Sequence, residues 1–260
     1  IEITLNLNNV LVMQSAEFNS YYNSYTQFLA KKRILREAVD SLTVGFFLGS
    51  FKPPHVGHYN AVKAGMEQTD VMHVVISPGF RGMTPEEQKV YFNLKNTRRR
   101  WAKQGKPTRG KDEEVKEMES KMISPMQSKL VWDEYTKALN RGDKKLNIHL
   151  VDVTEFRDPV SQTESLVKGY ASQPNAENTY IKLFIGKDDL VKGDVRNDPI
   201  KSIEGLGGIE EVPAIRSHSA TDARAAIVDG DQDAFNKSQP DHPAVDKNYI
   251  WDILYDSVTY

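Results

Sequence analysis

The sequence predicts an α/β fold: a Rossmann-like parallel sheet of about five strands flanked by helices, with an N-terminal strand-helix extension and a basic insertion. Three observations carry this. Short apolar runs alternate with helical stretches from Val44 onward, the order that builds a parallel sheet through right-handed crossovers. The first run ends in Gly49-Ser50, a Pro53-Pro54 turn follows, and two histidines then enter a helix. A late segment, Arg216 to Ile227, repeats that plan with hydroxyls and an arginine at a second helix start.

Ile1, Ile3, Leu5 and Leu7 alternate like a strand, and Phe18 to Val39 follow a helical pattern with Lys31, Lys32, Arg33 and Arg36 near its middle. Residues 1–42 are therefore an arm that packs on its own domain, on a second copy of the chain or on an assembly partner. Residues 43–260 form the main domain, with an insertion at about 80–124. Val44 to Leu48 reads as the first strand, His58 to about Gln68 as a helix and Val71 to Ser77 as the second strand. Thr84-Pro85-Glu86-Glu87 supplies an N-cap, a proline at N1 and a glutamate at N3, so a helix begins there. Pro125 to about Arg141 is a helix, Leu146 to Val153 a third strand, and Asp158-Pro159 starts a helix through Ala171. Tyr180 to Ile185 is a fourth strand and Ile209 to Val212 a fifth. Gly205-Leu206-Gly207-Gly208 lacks dinucleotide-fingerprint spacing and reads as a turn. Asp246 to Ser257 closes the chain as a helix.

Composition narrows the function classes. The chain has 260 residues, no cysteine and a formal charge of −2, so disulfides, thiolate metal sites and thiol nucleophiles are excluded and nothing pulls the whole molecule toward nucleic acid or membranes. No apolar run approaches the roughly 20 residues that span a bilayer. A cytoplasmic location is the simple expectation, although the chain begins with Ile rather than Met. Between Lys95 and Lys111 lie eight Lys or Arg residues and no acidic one, and Asp112 to Glu119 then supplies countercharge. The stretch is either a mobile basic lid or nucleic-acid patch with Trp101 as a stacking ring, or a solvated, partly self-neutralising insertion. The adjoining acids favour the last, and nucleic acid is not an expected partner.

The chemistry lies in two loops. His55 and His58 at a helix N-terminus can donate to an anion that the helix end already attracts. Gly49 permits close backbone approach and the prolines limit the loop's freedom. Ser219, Thr221 and Arg224 bring hydroxyls and a forked cation to another helix start. Together the loops could hold different phosphates of one triphosphate, so that a substrate phosphate attacks the α-phosphorus and catalysis is positioning plus charge stabilisation. His55 and His58 as a metal pair lack a third ligand at suitable spacing, so no protein-held metal is expected. His73, His149 and His242 read as ordinary strand or loop residues, and His218 adjoins the second loop.

Gly49-Ser50-Phe51-Lys52-Pro53-Pro54-His55-Val56-Gly57-His58 resembles the first motif of the nucleotidyltransferase superfamily with the His-x-Gly-His signature, which includes nicotinamide-mononucleotide adenylyltransferases and cytidylyltransferases. Ser219-Ala220-Thr221-Asp222-Ala223-Arg224 resembles its second. The resemblance covers residues 44 to 77 and 180 to 228. It implies transfer of an NMP, AMP favoured over CMP, from an NTP to a phosphorylated small molecule, with Mg²⁺ accompanying the nucleotide and pyrophosphate leaving. It also implies that His55, His58 and Arg224 are catalytic, and that Gly49, Ser50, Phe51, Lys52, Gly57, Ser219 and Thr221 bind nucleotide. Gly186 and Asp188 resemble a Gly-x-Asp near the acceptor or ribose. Lys52 departs from the usual Asp, Asn or Gln and either adds a phosphate contact or sits in solvent. Trp101 or Trp132 could stack an aromatic acceptor, Trp132 being better suited to the core. The long helical prefix resembles nucleotidyltransferase-like proteins of large bacteriophages, which implies the host cytoplasm or a virion. The rival expectation is a non-catalytic nucleotide-fold scaffold whose arm and insertion make assembly contacts.

Overall fold

The computed structural model describes residues 41–82, 84–140, 144–186, 195–214 and 220–259. The expected arm helix and strand, His218, Ser219 and Asp188 lie outside them. Within this range five strands form one sheet: β1 (Leu42–Gly49), β2 (Val71–Ile76), β3 (Lys145–Leu150), β4 (Thr179–Gly186) and β5 (Gly208–Ala214). The order is β3-β2-β1-β4-β5 and every pairing is parallel. The chain builds outward from β1 to β3 and then crosses back to place β4 on β1's other side. That reversal opens a crevice above the carboxyl ends of β1 and β4, where open α/β sheets receive ligands.

The inner strands β1, β2 and β4 are buried on both faces, which is why they read as nearly continuous apolar runs, while the edge strands β3 and β5 carry polar residues. Phe47, Val74 and Phe184 point into one core, beneath α1 (Val56–Glu67), α4 (Pro125–Leu139), α7 (Ala220–Val228), α8 (Gln232–Lys237) and α9 (Lys247–Thr259). Phe46, Val75 and Leu183, on the alternate register, point into a second core beneath α5 (Pro159–Ala171) and the short α6 (Asp198–Lys201). At Gly45 a Cβ would come within 2.5 Å of Met72 Sδ and 2.9 Å of Phe184, so glycine there lets these side chains fill the space under α1.

The insertion is helical: α2 (Pro85–Lys103) and α3 (Arg109–Ser120) form a hairpin. Thr84 caps α2 in a capping box with Glu87, as its sequence predicts, and Ser124-Pro125 and Asp158-Pro159 begin α4 and α5 the same way. The hairpin has a small core of its own, Tyr91, Val115 and Met122 with Phe80, Leu94 and Met118 around it. Its two ends are tied by an antiparallel bridge in which Arg81 and Ile123 exchange backbone hydrogen bonds of 3.1 and 3.2 Å.

On the second face lies a polar chain that the sequence did not announce. His73 Nδ1 is 2.8 Å from His149 Nε2, and His73 Nε2 is 2.9 Å from the Tyr170 hydroxyl, with Phe46 stacked on His73 at 4.8 Å. Burial, and secondarily His149, lowers the His73 pKa to about 4. A histidine held below its unfolded value of about 6.5 leaves the unfolded chain binding more protons, so its stability contribution is complete above that value and is lost as pH falls toward 4. Thermal melts from pH 7 to 4 should show a loss on the order of 3 kcal/mol from this group. His73→Phe should flatten the profile over that interval, and an unchanged profile would refute the assignment.

Candidate active site

The first loop and the first turns of α7 line one cleft. A cleft of about 290 Å³ above β1 is lined by Gly49, Ser50, Phe51, Lys52 and His58 from the first loop, Thr221 and Arg224 from α7, and Arg81 from the loop after β2. Arg224 joins the loops physically: Nη1 donates to the Lys52 carbonyl oxygen at 2.9 Å and Nη2 to Thr221 Oγ1 at 3.2 Å. Its Nε is buried with no hydrogen-bond partner among the described residues.

Aromatic packing holds the first loop in shape. Phe51 has a left-handed backbone, φ 48°, which costs a bulky residue roughly 1–3 kcal/mol. Its ring compensates by packing on Phe47 at 5.0 Å, on Trp132 edge-on at 5.5 Å and on His58 edge-on at 5.0 Å. A Cβ on Gly49 would stand 2.8 Å from that ring, so this glycine is required by Phe51. Trp132 is fully buried and works as the wall behind the loop, a core role rather than a stacking one.

His55 and Gly57 lie at the start of α1. Neither lines the cleft. His55 is the N-cap of α1, its Nδ1 accepting from the Gly57 N–H at 3.1 Å, and the Val56 N–H is taken by the Ser238 carbonyl at 2.8 Å. The first amides of α1 are thus occupied within the protein. His55 packs against His58, with ring centroids 3.8 Å apart and the rings tilted by 38°, and so supports the histidine that faces the cleft. Gly186 ends β4 in a separate, larger cleft of about 530 Å³ that meets the first at Gly49 and Ser50.

The electrostatics of the cleft are one-sided. Lys52 is 2% exposed, which overturns the solvent reading, and its Nζ donates to the Ser77 carbonyl at 2.7 Å. Burial first, and then the Arg81 guanidinium, lowers its pKa to about 7. The same two causes lower the Arg224 pKa. Three cations therefore converge, and no carboxylate lines the cleft among the described residues. Sequence reading missed Arg81, a single arginine in a glycine-containing loop. Its place is set by the bridge to Ile123 and by Gln88 Oε1 accepting from the Gly82 N–H at 2.6 Å. The lining offers hydroxyls, an imidazole and cations, so these residues do not fit a resident divalent metal.

No protein-family model matches the sequence, and no curated protein matches it either. Among solved structures, the chain is similar to a protein of Vibrio parahaemolyticus described provisionally as a nicotinate-nucleotide adenylyltransferase. The two are 14% identical, the match covers 82% of this chain and 98% of that one, and the TM-score is 0.44.

Proposed function

We propose that the protein is a nucleotidyltransferase that moves an NMP, AMP by preference, from an NTP to a phosphorylated small molecule. The observation that carries this is the cleft in which Lys52, Arg81 and Arg224 converge beside His58 without a lining carboxylate. Such a concentration of uncompensated positive charge in a partly dry site calls for a polyanion. A triphosphate lies along it, with Thr221 and Arg224 at the β- and γ-phosphates and His58 at the α-phosphate. Ser219, the residue before α7 in the sequence, is the proposed second hydroxyl. The nucleoside extends over the carboxyl ends of β1 and β4 into the larger cleft, with its ribose toward Gly186.

An acceptor phosphate oxygen attacks the α-phosphorus, one P–O bond forms as another breaks, and pyrophosphate leaves. His58 and the cations stabilise charge that grows on the equatorial and leaving oxygens. Mg²⁺ would arrive as part of the nucleotide substrate and would help neutralise the pyrophosphate leaving group.

The direct test is pyrophosphate release from labelled ATP or CTP with a panel of phosphomonoester acceptors. Acceptor-dependent release is the expected result. No turnover with any acceptor, together with an assembly lost on deletion of residues 1–42, would instead support a non-catalytic scaffold.

A further inference from the structure

Beside the phosphate cleft, on its β2 side, lies another of about 350 Å³. Its polar lining includes Ser50, Ser77, Arg81, Lys95, Asn96 and Arg99; Ser50 and Arg81 also line the phosphate cleft. The second wall is α2. Arg98 of that helix is paired with Asp112 of α3, while Lys111 with Glu114 at 2.6 Å and Arg109 with Glu113 at 3.3 Å pair within α3 itself. Lys95 and Arg99, four residues apart and thus on one helical face, line the cleft. Lys95 is partly compensated: its Nζ pairs with Glu119 at 3.8 Å and donates to the Tyr91 hydroxyl at 2.9 Å, which in turn donates to Glu119 at 2.6 Å. Neither Arg81 nor Arg99 has a carboxylate partner among the described residues. Phe92, 53% exposed, supplies an apolar flank to the same cleft.

We infer that this cleft selects the acceptor: Arg99 and Lys95 on the inserted hairpin bind a phosphomonoester distinct from the nucleotide, with Arg81 between the two anions and Phe92 against the acceptor's apolar part. The inference rests on the nucleotidyltransferase reading only in calling that ligand the acceptor. It makes the hairpin the specificity element, because two of the cations that meet the second anion belong to it. A volume of about 350 Å³ suits a sugar phosphate or an aryl phosphate and not a second nucleoside triphosphate.

The test uses the whole chain, with α,β-methylene-ATP filling the phosphate cleft and phenyl phosphate as the second ligand in calorimetric titrations. Phenyl phosphate should bind the loaded protein. Arg99→Ala should weaken it by about 10- to 100-fold, the loss of a charge-assisted contact, with Lys95→Ala in the same direction. Affinity for the ATP analogue should change less than threefold in either variant. The inference is overturned if loaded wild-type protein ignores phenyl phosphate, if Arg99→Ala binds it normally, or if Arg99→Ala weakens the analogue instead. Should the analogue itself fail to bind, the nucleotide reading falls separately. Phenyl phosphate titrated into the free protein then decides, since its binding must be lost in Arg99→Ala and kept in Lys52→Met.

Discussion

Replacing His58 with alanine is expected to lower pyrophosphate release by about 10²- to 10³-fold at saturating nucleotide, the loss that follows removal of one preorganised donor to transition-state charge. The size of the effect comes from rigidity. The ring is 6% exposed and is held between His55 and Phe51, with centroid separations of 3.8 and 5.0 Å, so it needs no reordering as the α-phosphate changes geometry. Water cannot replace it in a fixed orientation. Because the substitution also empties space next to Phe51, melting temperature and ATP-analogue affinity must be measured beside turnover. The expected pattern is a fall in kcat with analogue binding largely retained, and partial recovery in His58→Asn, which keeps a donor. Activity within about threefold of wild type would remove His58 from the chemistry. His55→Ala offers the contrast: it deletes the α1 N-cap, a loss of about 1 kcal/mol of stability, and should act on turnover through the displacement of His58.

How much of this was legible beforehand follows from where the information sits along the chain. Strands β1, β2 and β4 announce themselves because burial on both faces leaves almost every position apolar. The starts of α2, α4 and α5 were readable because each cap is a local pattern of four residues. Past its cap, the length of α2 and the whole of α3 carry little signal in the sequence: the two helices bury little beyond Tyr91 and Val115, so no apolar stripe marks them, and the Arg98–Asp112 pair forms only once the hairpin has closed. Arg81 gave no signal because its position depends on pairing with Ile123 across the whole hairpin. The pairing of His73 with His149 likewise needs β2 beside β3 in register, with Val75 opposite His149 and His73 opposite Asn147. In the site, the motif residues Ser50, Lys52, His58, Thr221 and Arg224 do line one cleft. The division of labour between His55 and His58 was not readable, since spacing alone cannot tell a ring that caps a helix from a ring that faces a ligand.

Lys52 should make nucleotide binding consume a proton. Its ammonium is buried against the Ser77 carbonyl and faces Arg81, so in the free protein it is held near pKa 7. A polyanion beside it favours the charged form and raises that value by about 1–3 units. Below about pH 7 the lysine is protonated with or without nucleotide, and affinity should be insensitive to pH through this group. Above it, the free protein must take up a proton to bind, so affinity should fall by up to about tenfold per pH unit until the bound-state pKa is reached. The nucleotide's own last phosphate proton is lost at lower pH, near 6, which separates the two titrations. Calorimetry of an ATP analogue in buffers of different ionisation enthalpy should therefore register almost no uptake through this group near pH 6 and about 0.4 to 0.9 proton near pH 8. Lys52→Met should abolish the uptake and weaken the analogue by about 10- to 100-fold, since a charge-assisted contact is lost. Lys52→Arg, charged at every pH used, should restore part of the affinity with no uptake. Wild-type protein that binds the analogue at pH 8 with no proton taken up would show that Lys52 does not meet the triphosphate. The buried lysine would then be a structural tie between the first loop and the end of β2, carrying no part of the phosphate grip.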